Sequence, residues 1–494
     1  MIAEIVVGLS VFLLLYYCFF GFYNYLYAFA SLYTPKLKKV KSSNLKTAVV
    51  IVSFNEHHVI ADTIRECEKL TYKNKVIIVG DDSTDTKTYP LLVKIAQKYG
   101  CKKLTDPILT GNGTRDVWES SKFVLFHRHS NHGYKAGHLK ELETYFKAKG
   151  FDYMYLLDAD WWPQKDAIER CTEVIEANDK LAFVQTKRVS YHGDMTPWEH
   201  CIALSEDGCY IVDLAGRQAI GDPILFTGCC TLFRLSQLYK AEGFTPGHMT
   251  EDIDLTNRFY LLGLKGAYLP DVENEGEVPP HYHALRSQQE RWTMGTARTL
   301  KEYFWPIIKS NKLSIKEKLG QLRQNAYYSS AVAIELSVVL AVIAAMLSIN
   351  PESIQGAAFQ YYFSFIGMPY TVLIFLALAS NFIAPIMVVI KRKEWRNLMY
   401  IPVSTWLSWS LLHTYFIANI KGFFNIKRDW SVTPKGTRKK IEHHRQYHYH
   451  IKFINLLTLV MLISVYGIEW YNLNVLDPFA FFWIPALVTG IFMS

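Results

Sequence analysis

Several things are missing from this 494-residue chain. Its eight cysteines form no CxxC pair and no even framework, which argues against a disulfide scaffold. They read as reduced thiols of a cytosolic domain, with Cys18 in a membrane helix. No GxGxxG is present, so a dinucleotide fold is disfavoured. Residues 2–34 hold no Lys or Arg and one acid, Glu4. That run is too long for a signal peptide, and it lacks a basic n-region and a small-residue cleavage site. It reads as a membrane anchor. Residues 327–390 also hold no Lys or Arg and accommodate two more spans, about 327–348 and 368–390, separated by NPESIQG.

What is there is an aromatic, half-apolar chain with a mild net charge of +8. The basic residues sit beside the apolar runs, which points to a lipid bilayer and not to nucleic acid. Lys36, Lys38, Lys39, Lys41 and Lys46 follow the anchor with no acid among them, so that end is cytosolic and the N-terminus lies outside. KRKEWR (391–396) is cytosolic by the same rule. The run 398–420 is long enough to span, yet 421–452 holds nine Lys or Arg against two acids. Charge outweighs hydropathy there, and 398–424 reads as an interfacial helix. Two final spans, about 453–470 and 476–493, complete a set of five with the C-terminus inside. EHHRQYHYH (442–450), with His443, His444, His448 and His450, reads as a basic aromatic segment against lipid headgroups, not a metal site.

Residues 46–325 have ordinary charge density and form a soluble α/β unit. KTAVVIVSFN (46–55) is a β-branched run, a buried parallel strand followed by a helical pattern. KVIIVGDDSTD (75–85) and DYMYLLDADWWP (152–163) are further strands ending in acids. Function at the carboxyl ends of such strands is the doubly wound, Rossmann-like layout. Asp158 and Asp160, two carboxylates flanking Ala159, can hold a hard divalent cation and through it a diphosphate. MTEDIDL (249–255) is an acidic run opening a helix, in which Thr250 capping and catalysis are both open.

The ordered set SFNE (53–56), DDSTD (81–85), YKAGHLK (134–140), DAD (158–160), TED (250–252), QQERW (288–292) and VTPKG (432–436) resembles the family 2 processive glycosyltransferases. Cellulose synthases, hyaluronan synthases and related mannan and poly-N-acetylglucosamine synthases belong there. The resemblance covers roughly residues 45–440 and implies a GT-A-type cytosolic domain with a transmembrane bundle. The expected layout is an anchor at 1–34, the catalytic domain at 45–305 and interfacial helices at 306–326. Two spans at 327–390, an interfacial helix with the VTPKG loop at 391–452 and two spans at 453–494 follow.

The resemblance also implies roles. Asp81, Asp82 and Lys135 would hold a UDP- or GDP-sugar donor, with His138 where many relatives carry Asn. Asp158 and Asp160 would bind Mg²⁺ or Mn²⁺. Asp252 would be the general base, with Glu251 beside it as an acceptor-site residue and the next candidate base. Gln288 and Trp292 would bind the growing glycan acceptor, and Arg291 would help hold the pyrophosphate. Thr433 and Lys435 would lie in a gating loop, with Trp430 where relatives often carry Phe. One base without a second carboxylate nucleophile suits single displacement with inversion and a β-linked product. The expected function is a polysaccharide synthase in the plasma membrane that passes its product outward, with Glu335 either lining the tunnel or paired with a neighbour. A lipid acceptor, as in ceramide glucosyltransferases, is the rival reading; a transporter or dead scaffold would not need all the acids.

Overall fold

A computed structural model describes residues 2–190, 195–347 and 367–426, together with 456, 459–460, 484–485 and 488. The VTPKG loop, the histidine-rich segment and nearly all of the last two expected spans lie outside the described residues.

The soluble part is built on one ten-stranded sheet. Its strands are β1 (Thr47–Ser53), β2 (Lys75–Asp81), β3 (Lys102–Lys103), β4 (Arg115–Glu119) and β5 (Phe123–Arg128). They continue as β6 (Tyr153–Asp158), β7 (Trp161–Pro163), β8 (Leu181–Ser190), β9 (Thr231–Arg234) and β10 (Lys265–Gly276). The spatial order is β3-β4-β5-β2-β1-β6-β9-β8-β10-β7. The centre, β5-β2-β1-β6, is parallel, and β9 enters antiparallel between β6 and β8. Parallel strands need helical crossovers, which bury both faces. Accordingly β1 is buried at every position, and its side chains alternate between two cores. Val50, Val52, Ile78 and Leu156 pack with Leu139, Leu142 and Phe146 of the helix Tyr134–Lys149. Val49, Ile51, Val79 and Leu157 pack with Ile64 of the helix Ile60–Glu68 and Cys171 of the helix Ala167–Ile175.

Register positions the site. Ser53 lies opposite Asp81, Asp81 opposite His127, and Val52 opposite Asp158. The carboxyl ends of β1, β2, β5 and β6 are therefore level, and their polar residues share one edge. The run 152–163 is not one strand as expected. It breaks at Ala159 and Asp160, and β7 pairs instead with the far end of β10.

The helix Ile2–Ala30 packs on the helices Ser329–Leu347 and Gly367–Arg392, with Ser10 Oγ donating to Ser337 O at 3.0 Å. Asn24 Nδ2 donates to Ser380 Oγ at 3.1 Å. Within the described residues, Gly8–Ala30 and Phe375–Arg392 are long and apolar enough to cross a membrane. Tyr27, near the end of the first helix, donates to Asp222 Oδ2 at 2.5 Å and lies beside Arg217 and Arg323, tying that helix to the sheet-bearing part of the chain. The segment read as one interfacial helix is three pieces: a 3₁₀ turn, Trp395–Tyr400, and helices Ile401–Ser410 and Leu412–Phe423.

Candidate active site

At the end of β2, Asp81 is fully buried. Its carboxylate accepts from Ser83 Oγ at 2.5 Å and contacts His127 Nδ1 at 2.7 Å. The His127 ring stacks on Tyr89 with centroids 3.9 Å apart. Asp82 is also buried. It accepts from Arg128 Nε at 2.7 Å and contacts His138 Nδ1 at 2.5 Å. Burial alone would raise the Asp82 carboxyl, but His138 and Arg128 outweigh it and hold the group below its ordinary value. Both acids stand at the carboxyl edge of the sheet, Asp81 against His127 and Asp82 against Arg128 and His138. His138, at the position where many relatives carry Asn, holds Asp82 together with Arg128.

Three separate elements meet at Lys135. Lys135, in the first turn of the helix Tyr134–Lys149, donates from Nζ to Asp158 Oδ1 at 2.5 Å and to Gly228 O at 2.9 Å. The same nitrogen is 3.6 Å from Glu251 Oε1. Burial disfavours the Lys135 charge, but Asp158 and Glu251 more than offset this and hold the ammonium well above its usual range. Lys135 therefore joins DAD to TED, two motifs far apart in sequence.

TED opens the helix Glu251–Leu261. Thr250 does not cap it; its hydroxyl lies 3.3 Å from that of Thr299. Burial pushes the Asp252 carboxyl up to about 6, against the Ile253 N–H and Lys135, which favour its charge. Burial likewise pushes Glu251 up to about 7, with Lys135 opposing and Asp252 reinforcing the rise. A carboxyl tuned this close to neutrality is suited to taking a proton. Gly228, at φ 88°, faces Asp252; a Cβ there would stand 3.7 Å from Asp252 Oδ2.

QQERW lies on the 28-residue helix Tyr282–Lys309. This helix crosses directly beneath TED, because Gly295 leaves no side chain: a Cβ there would meet Thr250 Cγ2 at 2.4 Å. Gln288 is buried and Trp292 half-buried. Gln289 Oε1 accepts from Tyr328 OH at 2.9 Å and from Tyr415 OH at 3.4 Å, tying the motif to the turn before the helix Ser329–Leu347 and to the helix Leu412–Phe423. Lys421 Nζ contacts Glu290 at 3.2 Å. Arg291 lies on the same helix, half-buried. Glu335 is paired with His413 Nδ1, the neighbour reading of that acid. Thr433 and Lys435 lie outside the described residues.

Asp158 and Asp160 offer oxygen donors only, the chemistry of a hard cation such as Mg²⁺ or Mn²⁺. Among the described residues no group of three or more His, Cys, Asp or Glu is set to hold a metal. Two carboxylates fit a cation that fills its remaining positions with diphosphate oxygens and water. All eight cysteines are free thiols. Sequence reasoning missed Arg128, which sits at a strand end among acids, and Arg188 of β8, which resembles an ordinary strand residue.

A doubly wound sheet with acids gathered at the carboxyl ends of its strands defines the GT-A-type α/β transferase fold. The mannosyltransferase PcManGT of Pyrobaculum calidifontis, solved with GDP-Man and Mn²⁺, has this fold: TM-score 0.51 at 15% identity, covering 76% of this chain and 97% of that one. Residues 153–493 match the model of glycosyl transferase family group 2, and residues 48–238 match glycosyl transferase family 2. The chain belongs to this family. Glucomannan 4-beta-mannosyltransferase 7 of Arabidopsis thaliana is 29% identical over 291 residues, 58% of this chain and 49% of the relative. Glucomannan 4-beta-mannosyltransferase 1 of Oryza sativa subsp. japonica is 27% identical over 273 residues, 55% and 49%. The chain spans about half the length of the curated relatives it matches.

Proposed function

We propose that the chain is an inverting hexosyltransferase that extends a β-linked polysaccharide from a sugar nucleotide at the cytosolic membrane face. The observation that carries this is Lys135 Nζ, 2.5 Å from Asp158 and 3.6 Å from Glu251, which joins the diphosphate acids to the residue beside the base Asp252. The acceptor hydroxyl attacks the anomeric carbon, the bond to the diphosphate oxygen breaks, and Asp252 takes the hydroxyl proton. Glu251 orients the acceptor beside it. Lys135, with Arg291, faces the charge that develops on the leaving diphosphate. Asp158 and Asp160 would hold Mg²⁺ or Mn²⁺, which neutralises that charge when bound. Asp81 and Asp82 shape the nucleoside side, and Thr433 and Lys435 close over the nucleotide. Gln288 and Trp292 carry the acceptor, the indole as a stacking face.

The names of the curated relatives favour mannose as the first sugar to try. Membrane passage of the product, five spans, an external N-terminus, an internal C-terminus and a plasma-membrane location complete the reading, supported by the charge pattern and the two long apolar helices. The test is a screen of radiolabelled GDP-mannose, UDP-glucose and UDP-N-acetylglucosamine with the purified full chain, sizing the product. Long glycan from one donor is expected. Label confined to a one-sugar lipid, or no transfer from any donor, would overturn the proposal.

A further inference from the structure

Arg188 lies half-buried near the end of β8. Its guanidinium carbon is 3.9 Å from the Trp161 ring centroid and 5.2 Å from that of Tyr210. Tyr210 belongs to a π-helical stretch, Cys209–Leu214, a geometry found often at functional sites. The two rings fix the guanidinium plane and offset part of the cost of taking its charge out of water. They do not satisfy its donors. A guanidinium carries five N–H donors. Among the described residues, Arg188 makes one hydrogen bond, a long one from Nη1 to Thr227 O at 3.3 Å, and no ion pair; Nε is buried without a partner. An arginine held rigid with unspent donors is costly unless a ligand completes it.

Its place says which ligand. Thr227 and Gly228 form the turn that faces Asp252, and the two carbonyls are claimed by different cations. Lys135 takes Gly228 O from the side of Asp158, where the diphosphate acids stand. Arg188 takes Thr227 O from the side of Tyr210, whose helical stretch packs against the helices Ile2–Ala30 and Gly367–Arg392. The charge of Arg188 also reaches Asp252, where it opposes the rise caused by burial. We propose that Arg188 is an acceptor-binding residue: its fixed guanidinium fork donates to ring hydroxyls of the neutral pyranose whose nucleophilic hydroxyl faces Asp252. This rests on the sugar-transfer reading above.

The test measures the ratio of the sugar-incorporation rate to the rate of hydrolytic nucleotide release without acceptor, on the full chain in lipid nanodiscs with the donor that wild type uses. For Arg188→Gln this ratio is expected to fall by about 10- to 100-fold, the loss of a charged hydrogen bond. The KM for the donor and the rate of nucleotide release by hydrolysis should stay within about twofold, which a merely structural role would not allow. Arg188→Lys keeps a cation between the rings but loses the fork; it should show the same one-sided loss, and it serves if Arg188→Gln does not fold. A wild-type ratio in either folded variant would overturn the assignment. An equal fall in donor binding and incorporation would move Arg188 to the diphosphate. Wild type that makes no glycan would instead defeat the transfer reading itself, and this assignment with it.

Discussion

Asp252→Asn exchanges the expected base for an amide of the same shape, and the structure predicts opposite effects on turnover and stability. The free carboxyl ionises near 3.8, whereas burial pushes the folded one up to about 6. The native state therefore releases this proton later, and stability falls as pH rises between those values. Above about pH 6 the whole cost is present, at most about 3 kcal/mol for a rise of this size. An amide never carries the charge, and its oxygen can still accept from the Ile253 N–H, 2.9 Å away in the native chain. Asp252→Asn should thus unfold no earlier than wild type at pH 7.5, and later by up to that amount. Turnover should fall by at least about 100-fold, since no carboxylate remains to take the hydroxyl proton. Wild-type activity should decline as pH falls through about 6, where Asp252 is protonated. Thermal unfolding in detergent and nucleotide release on the same sample read both quantities. Destabilisation accompanied by loss of activity would make Asp252 a structural residue. Retained turnover would move the base, with Glu251 next in line.

Three further outcomes follow from the same geometry. Chelator should abolish activity and Mg²⁺ or Mn²⁺ restore it, whereas neither should restore Asp160→Asn; full turnover in chelator would remove Asp158 and Asp160 from that role. Trp292→Ala should lose polymer but keep slow donor hydrolysis, while Arg291→Ala should depress both, as read by released nucleotide and polymer length. Wild-type polymer from Trp292→Ala would end its role as the acceptor platform. Tags at Gly436 and after Ser494 should be protected from external protease in intact cells, and cleavage at Gly436 would put the VTPKG loop on the wrong side.

The centre of the fold was legible because β1, β2 and β6 are unbroken apolar runs, and such runs in parallel sheets are buried on both faces. The break at Ala159 was not, since its cause is long-range: β7 leaves β6 to pair with β10. The Thr250 cap failed for a similar reason. Its hydroxyl meets Thr299, a neighbour that only the close packing at Gly295 supplies. The candidate site residues stand out as motifs, but their contacts do not. Nothing local says that Lys135 bridges Asp158 and Glu251, that His138 holds Asp82, or that Glu335 finds His413 78 positions away. Arg188 carried no signal at all, because an arginine in a strand ordinarily points to solvent and only the Trp161–Tyr210 clamp distinguishes it.

Single displacement by one half-buried base in a polymerising site is tested most directly by the NMR spectrum of the glycan made by the purified chain. Anomeric couplings report configuration, and the ratio of internal to terminal residues reports length. An all-β product with internal residues in large excess, made from an α-linked donor, is expected. An α-linked product, or a single sugar on a lipid, would contradict it.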